Sequence, residues 1–157
     1  MAKQLARPPL EPSTYDDDFY GWCLEQATLV RAGRLGELDR ENVAEELESL
    51  GKEQAHSLES SYRVLLLQLL KWRYQHRKRS RSWAGTIVRE RINAAKRLVN
   101  NRGLEQHKRH LFAEAYGGAR REAAAETGLR ISVFPADCPF TFEQALDDEF
   151  WPEAEAA

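Results

Sequence analysis

The sequence lacks the features that mark membrane-spanning and disulfide-stabilised proteins. Its 157 residues contain no run of 18 apolar residues, which a membrane-spanning helix would need. The only two cysteines, Cys23 and Cys138, have no neighbour at metal-binding spacing. The N-terminal stretch has two basic residues but no apolar segment of the kind found in secretory signals. We therefore expect a cytoplasmic protein with free thiols, associated with no membrane.

Several common motifs are missing as well. The sequence has no alternating apolar–polar segment that would indicate a strand, and it has no internal repeat. It also lacks a glycine-rich phosphate loop, a dinucleotide-binding fingerprint and a G-x-S-x-G motif. These absences argue against nucleotide-binding enzymes and serine hydrolases, and we predict no cofactor.

Apolar residues instead recur every three or four positions, which predicts an all-α fold. We expect a single-domain helical bundle of about four main helices with a short C-terminal helical segment. The predicted helices cover residues 15–32, 40–76, 104–127 and a few residues after 141, and a third helix begins after a cap at Ser80 or Ser82 and ends near residue 100. The predicted domain organisation is a flexible N-terminal arm at 1–13, a bundle domain at 14–152 and an acidic tail at 153–157.

Capping residues define most of the predicted helix ends. Ser13 or Thr14 can cap the first helix, and Gly33 is suited to its C-terminal end. Gly128 can end the fourth helix, while Thr141 begins a capping box with Gln144. The third helix is predicted to turn its apolar stripe inward; this stripe contains Trp83, Ile87, Val88, Ile92, Ala95, Leu98 and Val99.

Charge is separated into blocks along the chain. Residues 71–102 contain 11 basic residues and one acidic residue, although the whole chain has a net charge of −2. Residues 11–60 contain 13 acidic and 4 basic residues, and residues 137–157 contain 7 acidic residues and no basic one. Such separation indicates either pairing between segments or separate surfaces for different partners.

The densest basic stretch is KWRYQHRKRSRSW at residues 71–83, predicted to form the tip of a helical hairpin. At 1.5 Å per residue, the acidic part of the second helix ends about 20 Å away, so only the acidic tail could fold back on the tip. Trp72 and Trp83 are interpreted as core anchors. We predict a non-catalytic binding or adaptor module whose tip contacts a polyanion such as nucleic acid, with Tyr74 stacking on a base. The predicted site contains Arg73, Tyr74, Arg77, Lys78, Arg79 and Arg81.

The acidic segment leaves two other functions open. Glu45 and Glu48 share one helix face, which allows a metal-dependent hydrolase with a carboxylate cluster of Asp39, Glu45, Glu46 and Glu48. The second carboxylate pair of such enzymes is missing, because Glu122 and Glu126 are spaced by four. The acidic helix could instead dock a basic partner protein, or the acidic part of one copy could meet the basic tip of another in a homo-oligomer.

Several motifs in order resemble one bacterial family. They read YDDDFYGWCLEQATLVRAGRLGELDRENVAEELESLG, LLQLLKW, SRSW, AAAETGL and FPADCPFTFEQALDDEFWP, and they resemble the family called domain of unknown function 29. The resemblance covers residues 14–152 and implies a helical fold with no established activity. It differs at Gln68, where family members often have histidine. The positions that it singles out are Asp18, Trp22, Asp39, Asn42, Glu45, Glu46, Lys71, Trp72 and Trp83.

Overall fold

The computed structural model describes residues 13–155 and contains five α-helices and no strand in that range. The helices are α1 (Phe19–Arg31), α2 (Arg40–Tyr74), α3 (Arg81–Asn100), α4 (Lys108–Thr127) and α5 (Phe142–Leu146). The predicted all-α bundle is therefore confirmed, with four main helices and a short C-terminal one. No helix of residues 13–155 is long and apolar enough to cross a membrane. The predicted flexible arm lies outside the described residues except for Ser13, as do residues 156 and 157 of the acidic tail.

The chain divides into two compact units, Met1–Gly51 and Lys52–Ala157. The division falls inside α2, which continues through Gly51 as one helix. The sequence predicts one long helix here with glycine as a weak point, and the continuous helix confirms this. The single bundle domain at 14–152 stays a prediction.

In the first unit, α1 begins four residues later than predicted. Asp18, not Ser13 or Thr14, caps α1, because its carboxylate accepts the Gly21 N–H over 2.9 Å. The Ser13 hydroxyl donates to the same carboxylate, so Ser13 supports the cap rather than forming it. The helix ends as predicted before Gly33, whose φ of 69° is readily adopted by glycine.

The core of the second unit surrounds the C-terminal half of α2. Residues 64–70 of that half are apolar except for Gln68. Residues of α3, α4 and the segment that follows α4 complete the core. A Cβ added to Gly118 of α4 would lie 2.7 Å from Cδ of Arg63, so Gly118 leaves room for this side chain of α2. The helix α4 continues through the Gly117–Gly118 pair. The core residues are Leu58, Tyr62, Leu65, Leu66, Leu67, Leu69, Leu70, Ile87, Ala94, Phe112, Ala115, Tyr116, Ala119, Ala123, Phe134, Phe140 and Ala145.

The inward face predicted for α3 is wrong for four of its apolar residues. Val88, Ile92 and Val99 are exposed by 44%, 59% and 73% of their surface, and Ala95 is exposed as well. The buried face of α3 instead contains two charged residues among apolar ones: Ile87, Glu90, Arg91 and Ala94. Prediction from apolar periodicity assigns charged positions to the exposed side of a helix. The buried face of α3 contains charged residues, so this reasoning identified the wrong face.

Arg91 is buried because it holds the C-terminal segment. Its guanidinium donates to the carbonyls of Ala145, Asp148 and Phe150 over 2.9, 3.3 and 2.6 Å. Burial lowers the pKa of Arg91, since water cannot solvate the charge there. The Phe150 ring meets the Phe140 ring edge to face, with 6.0 Å between centroids.

The ends of the last two helices follow their capping residues. The capping box of Thr141 and Gln144 forms as predicted. Gly128 ends α4 with a φ of 71°. The helix α4 begins at Lys108 instead of residue 104, because Arg102–Leu104 form a tighter 3₁₀ turn before it.

Candidate functional site: a basic hairpin tip

The basic tip, defined here as residues 71–81, lies between two helices of the second unit. It contains the last turn of α2, a 3₁₀ turn at His76–Lys78 and the start of α3. Ser80 caps α3 as predicted by accepting the Trp83 N–H over 3.2 Å. The cap and the 3₁₀ turn reverse the chain within a few residues, which concentrates the basic side chains at the turn.

Two of the predicted contact residues hold the C-terminal segment instead of facing solvent freely. Arg73 donates to the Glu155 carboxylate through Nε over 2.9 Å and Nη2 over 2.8 Å. The Glu155 N–H donates in turn to the Arg73 carbonyl over 3.1 Å. This pairing raises the pKa of Arg73. The acidic tail therefore folds back on the tip, as the charge layout had allowed.

Arg79 is held by two carbonyls. It donates through Nε to the carbonyl of Trp72 over 2.8 Å and through Nη2 to that of Pro152 over 3.1 Å. Its guanidinium also lies over the Trp72 ring, 4.9 Å from the centroid. The ring centroids of Trp72 and Trp151 are 4.8 Å apart, so Arg79, Trp72 and Trp151 form one contact.

Tyr74 is half-buried against the body of the second unit. Its ring meets Phe134 edge to face at 5.4 Å between centroids. The Arg73 guanidinium lies 5.5 Å from the Tyr74 ring centroid, and burial raises the pKa of the phenol. A shallow hollow of about 230 Å³ opens beside the ring and is lined by Tyr74, Gln75, His76, Arg77 and Lys78.

The other three predicted cations are exposed. Within residues 13–155, Arg77, Lys78 and Arg81 have neither an ion pair nor a side-chain hydrogen bond. Lys71, at the base of the tip, is buried, donates to Glu126 over 2.6 Å and lies 4.4 Å from the Trp83 ring centroid. The tip thus contains structural cations at its base and solvent-facing cations at its end.

The carboxylates of the metal hypothesis lie in the first unit and have other partners. Asp39 accepts from Trp22 Nε1 over 3.2 Å and from Asn42 Nδ2 over 2.7 Å, and the Asp39 N–H donates to Gln26. Hydrogen bonds from Asn42, and then from Trp22, lower the pKa of Asp39. Asp39 therefore links α1 to the start of α2.

Glu46 accepts a hydrogen bond from the Tyr15 hydroxyl. This bond is the main cause that raises the pKa of Tyr15 to about 12. Glu45 is exposed, and Glu48 has an interaction partner of its own. Nowhere in residues 13–155 do three or more His, Cys, Asp or Glu side chains lie together in a way that could hold a metal ion.

An open cleft of about 770 Å³ lies beside these residues in the first unit. Its lining includes the aromatic rings of Tyr15 and Trp22 together with the carboxylates of Asp16, Glu25 and Glu37. The Glu37 carboxylate pairs with Arg34, which lowers its pKa. The cleft is acidic overall, but the carboxylates of Asp39 and Glu37 in its lining already accept hydrogen bonds from neighbouring side chains.

Most of the positions singled out by the resemblance fall into two structural clusters, and the exposed Glu45 belongs to neither. In the first unit, Trp22 and Asn42 hold Asp39, while Glu46 holds the segment before α1. In the second unit, the same positions supply the ring contacts at the base of the tip; these are Lys71, Trp72 and Trp83. Each cluster has a fold-stabilising role that accounts for its residue types.

A family model described as domain of unknown function DUF29 matches residues 14–151. The chain belongs to the DUF29 family. None of the curated proteins and none of the solved structures matches it. For this DUF29 protein the family description names no activity.

Sequence reasoning missed two long-range contacts, one between Arg91 and the C-terminal segment and one between Tyr15 and Glu46 in the first unit. The Arg91 contacts go to backbone carbonyls, which every residue has, so no residue type marks them. The Tyr15–Glu46 bond joins residues 31 positions apart, and no local spacing predicts it. The Arg73–Glu155 pair did have a signal, because the tail was the only acidic segment able to reach the tip.

Proposed function

We propose that this DUF29 protein is a non-catalytic binding or adaptor module that contacts a polyanion, such as single-stranded nucleic acid, through its basic tip. The observation that carries the proposal is the exposure of Arg77, Lys78 and Arg81 at one turn without an acidic partner among the described residues. Exposed cations that neutralise phosphates release the counterions condensed on the nucleic acid, which favours binding.

The hollow beside Tyr74 supports nucleic acid as the class of polyanion. It places an aromatic ring beside Arg77 and Lys78, and pairing of aromatic rings with cations is typical of single-strand binding surfaces. Arg79 and Arg73, which belong to the predicted site, are held by the C-terminal segment and would contribute only after that segment moves. A cytoplasmic location would fit this function and stays a prediction.

The test is a titration of labelled single-stranded RNA and DNA at several salt concentrations. Binding should weaken with salt, and the logarithm of the affinity should fall with a slope of about 2 for three phosphate contacts at ~0.7 each. The triple variant Arg77→Ala, Lys78→Ala, Arg81→Ala should lose this binding.

A matched variant controls for net charge. Arg31→Ala, Arg102→Ala, Arg121→Ala removes three exposed positive charges outside the tip and should bind as the wild type does. Equal losses of affinity in the two variants would mean that binding depends on net charge and not on the tip. Absence of binding at ~50 mM salt would overturn the proposal.

The metal-dependent hydrolase is the weaker alternative. A metal ion would have to displace Trp22 and Asn42 from Asp39, and Tyr15 from Glu46, before Glu45 and Glu48 could join a cluster. Stoichiometric divalent metal in the purified protein, lost in a Glu45→Gln, Glu46→Gln variant, would favour the hydrolase over the binding module.

A further inference from the structure

A polar hollow of about 370 Å³ lies between α2 and the C-terminal end of α3, and all of its lining residues belong to the second unit. Arg97 in this lining is 16 positions after Arg81 of the tip, which is about 24 Å along the helix at ~1.5 Å per residue. The helix α3 and its C-terminal cap supply all but one of the lining residues, at spacings that place them on one helix face. The lining residues are Gln54, Asn93, Lys96, Arg97, Asn100 and Asn101.

The hollow is positively charged. Lys96 and Arg97 line it, and no carboxylate does so among the described residues. Within residues 13–155, neither cation has an ion pair or donates a side-chain hydrogen bond. The only carboxylate of α3, that of Glu90, accepts from Arg89 over 3.1 Å and from Asn93 over 3.3 Å. Two unneutralised cations in one hollow favour an anionic ligand.

The guanidinium of Arg97 is the observation that distinguishes this hollow from an ordinary basic surface. Its Nε is buried and donates to no described atom. A buried donor without an acceptor is unfavourable, and native proteins rarely retain one unless an ion or water accepts from it. A cation at this end of α3 also offsets the helix dipole, but an arginine fully in water would do so equally well. The dipole therefore does not explain why this side chain is half-buried.

We propose that the hollow binds a small phosphate monoester that carries hydroxyl groups, such as a sugar phosphate. Lys96 and Arg97 would hold the phosphate, because two positive charges match its charge of about −2. A small rotation of the guanidinium would direct Nε and Nη to the same phosphate, in the paired geometry that arginine forms with this group.

The rest of the ligand would contact the carboxamides. Their side chains both donate and accept hydrogen bonds, which suits hydroxyl groups. The volume has room for about 12 water molecules at ~30 Å³ each, so it exceeds the size of a phosphate ion. The polar lining excludes an apolar ligand. This proposal does not depend on binding at the tip.

Nuclear magnetic resonance of the ¹⁵N-labelled wild type tests the proposal, because Arg97 Nε–H and the carboxamides give separate signals. Titration with glucose 6-phosphate should shift the signals of Arg97, Asn93 and Asn100 saturably, and glucose should shift none of them. Inorganic phosphate should bind at least about threefold more weakly, since it makes no hydroxyl contacts. Absence of saturable shifts with either phosphate up to ~10 mM would overturn the proposal. Equal affinities for the two would overturn the role given to the carboxamides.

Variants of equal charge locate the binding. Arg97→Gln should weaken glucose 6-phosphate binding at least about tenfold, because it removes a charged donor of the phosphate. Arg97→Lys keeps the charge but loses the paired geometry, so its loss should be smaller. Arg121→Gln removes an exposed charge on α4 and should bind as the wild type does. Equal losses in Arg97→Gln and Arg121→Gln would overturn the site. So would an RNA oligonucleotide that shifts the Arg97 signal when glucose 6-phosphate does not, because the hollow would then belong to a nucleic-acid surface.

Discussion

The acidic first unit and the basic tip both concentrate charge of one sign, and they differ in whether that charge has partners. In the first unit, Asp18 caps α1, Asp39 accepts from Trp22 and Asn42, and Glu46 accepts from a phenol. At the end of the tip, the exposed cations have no such contacts within the described residues. A charged cluster in a sequence therefore indicates a binding surface only where its side chains remain unpaired.

The stability of the first unit should depend more on the buried contact between Trp22 and Asp39 than on its exposed residues. Trp22 is 4% exposed and donates to Asp39, so Trp22→Ala removes both a packed ring and a hydrogen bond. We expect a loss of about 3–5 kcal/mol in the local stability of this unit. Hydrogen exchange of the α1 amides measures it, because the two units need not unfold together.

Leu24→Ala is the control for this prediction. Leu24 lies on the same helix but is 54% exposed, so its truncation should change local stability by less than about 0.5 kcal/mol. Unchanged protection of α1 in Trp22→Ala would show that the carboxylate network does not organise the first unit.

The base of the tip should show an intermediate effect. Glu126→Gln removes the carboxylate that faces the Lys71 ammonium, and the lysine side chain is only 9% exposed. We expect a loss of about 1–2 kcal/mol, since the buried charge keeps its contact with the Trp83 ring but loses its ion pair. Urea unfolding measures the change. Glu149→Gln, at an exposed position, should be neutral, and equal losses in both variants would contradict a specific Lys71–Glu126 contact.

The pH dependence of stability tests one hydrogen bond of the first unit, that between Tyr15 and Glu46. Tyr15 has a pKa of about 12 in the folded protein and about 10 when unfolded. Between these values the unfolded chain loses the phenolic proton and the folded one keeps it, so the stability contributed by the Tyr15–Glu46 bond falls as pH rises from 10 to 12. Below pH 10 that contribution is fully present.

Tyr15→Phe should remove part of this alkaline loss of stability. Tyr116, whose pKa burial also raises to about 12, contributes a similar dependence and should be unaffected by the substitution. Thermal unfolding from pH 9 to 11.5 measures the difference between the two proteins. Parallel curves would mean that Glu46 does not hold the Tyr15 proton.

The sequence predicts the helices well because their signals are local. The caps at Ser80, Gly33, Gly128 and Thr141 each involve side chains or backbone angles within a few residues, and each is found in the structure. The continuous α2 follows from a helical rhythm of apolar residues sustained over most of its 35 residues. Local chemistry also explains the one misplaced cap, since Asp18 competes with Ser13 and Thr14 for the same helix end.

Contacts between distant segments are less accessible to sequence reasoning. The face of α3 is misassigned because Arg91 takes a buried position that a periodicity rule reserves for apolar side chains. Of the six tip residues predicted to bind a polyanion, the structure holds Arg73 and Arg79 in contacts with residues more than 70 positions away. The sign and density of charge can be read from the sequence. Whether each charged side chain is paired or exposed depends on distant segments and cannot.

The smallest predicted effect is a change in nucleic-acid affinity when a paired cation of the tip, Arg73, loses its acidic partner. Glu155→Ala removes the carboxylate that holds Arg73, whereas Glu153→Ala removes an equal charge two residues away, which acts on Arg73 only through space, without a salt bridge. An exposed ion pair contributes roughly 0.2–1 kcal/mol, so releasing Arg73 should strengthen nucleic-acid binding by about 1.4- to fivefold in Glu155→Ala. A general electrostatic effect of the tail would strengthen binding equally in the two variants. A difference between them in the same titration would instead assign the gain to Arg73, and it would make the acidic tail a direct competitor for the tip.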